Sequence, residues 1–280
     1  MQKRFLFSPV VAGLLIGGLL LYASCQKSSV NTGPAHVEFY LTDDPGPYQA
    51  VWIDVQQVWV NTSSDTSSNS SGWQQVPLLK PGLYNLLNLR NGVDTILGAI
   101  DLPAGRISQI RLVLGTNNRL VLDDGTEIAL TTPSAQQSGL KLNVDQTITA
   151  GVPYAIVLDF DAARSIVKAG NSGNYLLKPV IRTFLKSTGG AIDGYVLPDS
   201  AMAQVWAIMN TDTIGAWPDS TGYYKFWGIP AGSYQLVFQP DTTSGYQDTT
   251  LNNVQVTTGR RYGVAAPLSM ANYFTKKGRQ

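Results

Sequence analysis

From Ala35 onward, apolar residues recur at every second position in short runs, and Gly, Pro, Asn or Asp closes each run. Only half-buried strands joined by turns satisfy that pattern, because successive side chains of a strand point to opposite faces. Residues 50–60 show it most clearly: Val51, Ile53 and Val55 share one face, and Gln56-Gln57 then interrupts the alternation, which predicts a bulge. The following residues, 61–72, are almost wholly Ser, Thr, Asn and Asp, cannot bury apolar surface, and form the solvated loop of a long hairpin whose second strand starts at Trp73. Further strands are expected at 107–114, 119–122, 127–130, 154–160 and 176–184, with Asp123-Asp124-Gly125-Thr126 as a tight hairpin turn. Helical signal is confined to 161–169, where Asp161 would cap a turn or two. Charged residues make up only 14% of the chain, against a usual quarter. The expected fold is all-β.

The reactive side chains are few, and this bounds the chemistry. With one cysteine, Cys25, and one histidine, His36, set in the strand-like run His36-Val37-Glu38, neither a Ser-His-Asp nor a Cys-His site can be assembled in the usual way. Zinc lacks its ligands, so calcium on oxygen donors is the one metal the composition allows. A net charge of +1 offers no field to hold nucleic acid.

Asp159 and Asp161 stand two apart on one strand face, with Asp43 and Asp44 elsewhere in the chain. Such carboxylates can bind calcium, serve acid–base hydrolysis, or pair internally with Arg111, Lys141, Arg164, Lys178 and Arg182; the internal network is the favoured reading. Trp206, Trp217, Tyr223, Tyr224, Phe226 and Trp227 crowd the C-terminal third. Alternation assigns Tyr224 and Phe226 to the core and leaves Trp217, Tyr223 and Trp227 to stack on a sugar or a partner surface.

Residues 1–24 read as a signal peptide, with basic Lys3 and Arg4, an apolar stretch over 5–22, and small Ala23 and Ser24 before Cys25. The segment resembles a bacterial lipoprotein signal, although Tyr22 stands where that pattern favours Leu. The resemblance makes Cys25 the lipid-bearing first residue of the mature chain and 25–34 a polar leash. Acyl chains, at about 0.8 kcal/mol per buried CH2, would then tether the protein without a spanning helix. The polar string Lys186-Ser187-Thr188-Gly189-Gly190 separates two strand series, which gives domains at 35–185 and 192–270, a linker at 186–191 and a basic tail at 271–280.

Several strings in the first domain are distinctive: Tyr40-Leu41-Thr42-Asp43-Asp44-Pro45, Ile110-Arg111-Leu112-Val113-Leu114-Gly115, the run 133–142, Leu158-Asp159-Phe160-Asp161-Ala162-Ala163-Arg164, and Leu177-Lys178-Pro179-Val180-Ile181-Arg182. They resemble the domain of unknown function DUF4382, a family of exported bacterial lipoproteins, which implies a fold and no activity. In the second domain, Gly194-Tyr195-Val196 and the run from Asp219 through Gly222-Tyr223-Tyr224 to Pro230-Ala231-Gly232 resemble the carboxypeptidase regulatory-like domain. That resemblance implies a seven-stranded sandwich related to transthyretin and starch-binding modules, used as a spacer or binding module.

The expectation is therefore two β-sandwich-like domains in tandem after a lipoprotein signal peptide. The chain is expected to be a non-enzymatic cell-envelope protein that binds a protein partner or a glycan, held to the membrane through its lipid. Gln26-Lys27-Ser28-Ser29 lacks the acidic run of surface-exported lipoproteins, which points to the periplasmic face of the outer membrane. A carboxylate-dependent glycan hydrolase and a structural spacer or assembly component are the alternatives.

Overall fold

Among the described residues, thirteen strands precede residue 186; eleven build the two sheets of one sandwich and two pair as a separate ribbon. In the computed structural model, residues 33–44, 46–64, 71–132, 139–170, 173–187, 189–264 and 268–269 are described. Cys25, the segment 1–24, residues 133–138 and the tail 271–280 lie outside the described residues. In chain order the first lobe contains β1 (Ala35–Asp44), β2 (Ala50–Asn61), β3 (Trp73–Val76), β4 (Gly82–Asn85), β5 (Thr95–Leu102), β6 (Gly105–Leu114) and β7 (Arg119–Val121). It continues with β8 (Glu127–Ala129), β9 (Leu140–Ile148), β10 (Tyr154–Asp161), a single helical turn α1 (Ala162–Ser165), β11 (Ile166–Lys168), β12 (Tyr175–Leu177) and β13 (Ile181–Leu185).

One sheet has the order β13-β10-β1-β5, with β1 parallel to β10. The facing sheet runs β8-β7-β2-β6-β9, and β3 and β4 also pair with β2. Phe39, Leu41, Leu158 and Phe160 of the first sheet join Val51, Ile53, Val58, Val60, Ile110 and Leu112 of the second in one buried cluster. Each such side chain contributes roughly 1.5–3 kcal/mol on leaving water. The bulge falls where the alternation breaks: the β2–β6 register shifts between Val55 and Gln57, and the inward positions move to Val58 and Val60.

Two expectations need correction. Residues 176–184 are two strands, because Lys178 and Val180 donate their N–H groups to the Ser165 carbonyl and hydroxyl while Pro179 has none to give. The chain thus leaves the β11–β12 hairpin and enters the first sheet as β13. The helix after Asp161 stops at Ser165, since Ile166–Lys168 is taken into pairing with Tyr175–Leu177.

The second lobe contains β14 (Gly190–Leu197), β15 (Gln204–Met209), β16 (Asp212–Ala216), β17 (Tyr223–Ile229), β18 (Gly232–Gln239), β19 (Thr249–Val256), β20 (Arg261–Gly263) and β21 (Leu268–Ser269). One sheet is β17-β14-β20 with β21 also on β14, and the other is β16-β15-β18-β19. Strand β20 runs parallel to the start of β14 and β21 to its end, so the two line one edge in succession. Tyr224 and Phe226 are fully buried, with the Tyr224 ring edge-on to Phe226 and Phe238. This all-β architecture is two sandwich-like lobes with separate apolar cores.

Candidate functional site

Parallel pairing of β1 with β10 sets Thr42 opposite Asp159 and Asp44 opposite Asp161, while Asp43 faces the core side with Phe160. Arg182 lies across from Asp159 on β13 and pairs with it at 2.5 Å. Asp161 caps α1, accepting from the Arg164 N–H at 2.8 Å and pairing with Arg164 Nε at 2.6 Å. Asp43 Oδ1 accepts from the Ala162 N–H at 3.1 Å. The structure therefore gathers all four aspartates, each buried, around two guanidinium groups.

Burial pushes the Asp43 carboxyl well above the usual range, and the neighbouring Asp44 and Asp159 add to it. Asp44 is likewise raised by burial and by Asp159, against the pull of Arg182. Burial raises Asp159 too, opposed by Arg182. Asp43 Oδ2 and Asp159 Oδ1 are buried without a hydrogen-bond partner. Among the described residues, no three carboxylate, imidazole or thiol groups converge as metal ligands. Arg111 sits elsewhere, over the Trp73 ring at 4.1 Å. His36 is an exposed strand residue facing Asp101 at 2.7 Å.

The face of the first sheet that carries this network is met by the second lobe. Arg182 donates to the Trp227 carbonyl at 2.7 Å and to that of Gly228 at 3.4 Å. The Trp227 ring stands edge-on to Phe184, with centroids 5.6 Å apart, and Lys186 lies over both Tyr40 and Trp227. Gly228, at φ +64°, permits the approach, since a Cβ there would fall 2.0 Å from the Phe184 ring. Asn91 closes the junction farther along by donating to the Tyr223 carbonyl at 3.3 Å.

The three rings set aside for stacking part company. Trp227 is engaged by the first lobe, and Tyr223 packs on Tyr195 at 5.2 Å. Trp217 lines a cavity of about 350 Å3 whose walls include Pro198, Met202 and Pro218 of the second lobe and Pro47 and Asp123 of the first. The Trp217 indole N–H is buried and has no hydrogen-bond partner. Asp241 completes the wall. Its Oδ1 accepts from the N–H and hydroxyl of Thr243, and these bonds hold the carboxyl below its usual range. The lining comes from five separate stretches of chain, around Pro47, Asp123, 196–203, 217–222 and Asp241; the sequence marks Asp123, Val196 and Gly222 only as turn and strand residues, with nothing that brings them together.

Fold and site together define a two-lobed, all-β protein with a small-ligand-sized cavity at the lobe junction. Residues 34–179, just over half of the chain, match the family described as "Domain of unknown function (DUF4382)", and the chain belongs to that family. No curated protein matches it. Among solved structures, a type II cohesin–X–dockerin complex mutant from Acetivibrio cellulolyticus matches at 25% identity and a TM-score of 0.25, over 30% of this chain and 58% of that one. A shaft pilin SpaA mutant from Lactobacillus rhamnosus GG matches at 10% identity and a TM-score of 0.23, over 86% of this chain and 98% of that one. The Bacillus anthracis TIE protein matches at 12% identity and a TM-score of 0.20, over 85% of this chain and 34% of that one.

Proposed function

We propose that the chain is a lipid-anchored protein of the cell envelope, facing the periplasm from the outer membrane, that binds a carbohydrate without turning it over. The cavity at Trp217 carries this reading: it combines an aromatic side chain, proline walls and two carboxylates, Asp123 and Asp241, that can accept from ligand hydroxyls. Cavities of about 300–1,000 Å3 with apolar walls and a few polar groups are typical small-ligand sites. The second lobe's resemblance to carboxypeptidase regulatory-like domains supports a binding role, and the signal preceding Cys25 supports the anchor. Asp159 and Asp161, the carboxylates a hydrolase would need, are each held by an arginine beneath the lobe junction.

One experiment tests anchor and ligand together. Envelope fractions containing the wild type, Cys25→Ser or Trp217→Ala are probed with a labelled glycan library. The wild type is expected to place protein and glycan binding in the membrane fraction, Cys25→Ser to release both, and Trp217→Ala to keep the protein while losing the glycan. Glycan binding undiminished by Trp217→Ala overturns the site, and membrane retention of Cys25→Ser overturns the anchor.

A further inference from the structure

The cavity at Trp217 has walls of a single charge sign. Asp123 reaches it from the β7–β8 turn of the first lobe and Asp241 from the loop after β18 in the second, and none of the described lining residues is basic. Both hydrogen bonds to Asp241 fall on Oδ1, on the side that shapes its own turn. The hydrogen bonds from the Thr243 hydroxyl and N–H hold this carboxyl below its usual range. The same walls include the Trp217 ring, whose π face attracts cations, and more strongly where water is displaced. Pro198 and Pro218 in the same lining are flat, apolar surfaces.

From this combination we infer that the cavity takes an amino sugar, a hydroxylated ring carrying a free ammonium group, in preference to neutral or N-acetylated sugars. The inference rests on the carbohydrate reading and narrows it. The ammonium answers Asp123, Asp241 and the indole ring, and the sugar ring lies along the prolines. N-acetylation removes the charge that all three acidic and aromatic partners read.

The test is titration calorimetry of the full-length protein in detergent with four probes at mildly acidic pH, where the amine is protonated: tetramers of glucosamine, N-acetylglucosamine and glucose, and a lysine-bearing peptide. The glucosamine tetramer is expected to bind about tenfold tighter than the other two sugars, a difference that salt erodes. In Asp123→Asn/Asp241→Asn that preference vanishes, while the Asp241→Asn side chain still offers Oδ1 to Thr243, so the turn persists. Trp217→Phe, which keeps a ring with a weaker π face, reduces the preference for the glucosamine tetramer by about threefold. Equal or tighter binding of the acetylated tetramer, sensitive to Trp217→Ala, overturns the amino-sugar inference and leaves the carbohydrate reading standing. Binding of the peptide alone overturns both in favour of a protein partner, and silence with every glycan overturns both.

Discussion

The two lobes are built by the same alternation of apolar and polar residues, yet they bury different things. The first buries four aspartates at the ends of β1 and β10, with Arg182 of β13 only a quarter exposed beside them and Arg164 of α1 nearly half in solvent. In the second, the one buried carboxylate is Asp193 among the described residues, and its partner Arg261 lies mostly in solvent. Its core is instead aromatic, with the Tyr224 ring edge-on to both Phe226 and Phe238. A buried ion pair adds little net stability, but it penalises every arrangement in which one member is left alone. Asp159 and Arg182 therefore fix the β10–β13 register, since a one-residue slip would turn one of them to the opposite face. The second lobe fixes its strands by shape, and the loops between them are left to line a cavity with the first lobe.

The sharpest way to break this comparison is to remove one arginine from each lobe. Arg182→Ala leaves Asp159 buried beside Asp44 and is expected to cost about 3–5 kcal/mol in urea unfolding. Arg261→Ala, at a site where the guanidinium is two-thirds exposed, is expected to cost about 1 kcal/mol or less. Equal losses would end the distinction.

A smaller effect has opposite signs in the two lobes. Burial raises Asp43 and Asp44, so the folded state holds their protons more tightly than the unfolded chain does. That contribution is complete below about pH 4, where free aspartate titrates, and declines as pH rises through the raised values. Asp43→Asn keeps the acceptor for the Ala162 N–H and is expected to raise the melting temperature at neutral pH with no gain in acid. Burial also pushes Asp219 up, but hydrogen bonds from Thr221 and Tyr223 outweigh it and hold this carboxyl low. Its contribution is present above about pH 4 and lost as pH falls, so Asp219→Ala should cost stability at neutral pH and little in acid. Melting curves of both variants across pH would expose a shared sign if the contrast is mistaken.

The smallest change probes the seam. Phe184→Leu removes the edge-on partner of Trp227 and is expected to cost about 0.5–1.5 kcal/mol beyond the lost area, read as a wider separation of the two lobes' calorimetric transitions. A loss confined to the first lobe's transition would mean that the ring pair does not couple them.

Much of the first lobe was legible because its signals are local. Gln56-Gln57 announced the β2 bulge, Asp-Gly announced the β7–β8 turn, and the spacing of Asp159 and Asp161 put them on one face. Local signals failed where a distant partner decided the outcome. Nothing within 176–184 tells that Ser165 will draw off two N–H groups, and nothing after Asp161 tells that β11 will end the helix. Trp227 was placed correctly away from its own core, but the ring that covers it, Phe184, belongs to the other lobe. Trp217 was marked by its residue type alone, and its cavity is the meeting of loops that alternation does not describe.

The position of β1 carries a mechanical consequence. This first strand of the sandwich lies between β10 and β5, matched to eight residues of one and seven of the other. A load entering at Ala35 along the strand axis is spread over both ladders at once and acts in shear, so rupture needs many bonds to fail together. An edge strand in the same place would carry that load on a single ladder. Tension applied ahead of Ala35 is thus met by a strand gripped along both edges.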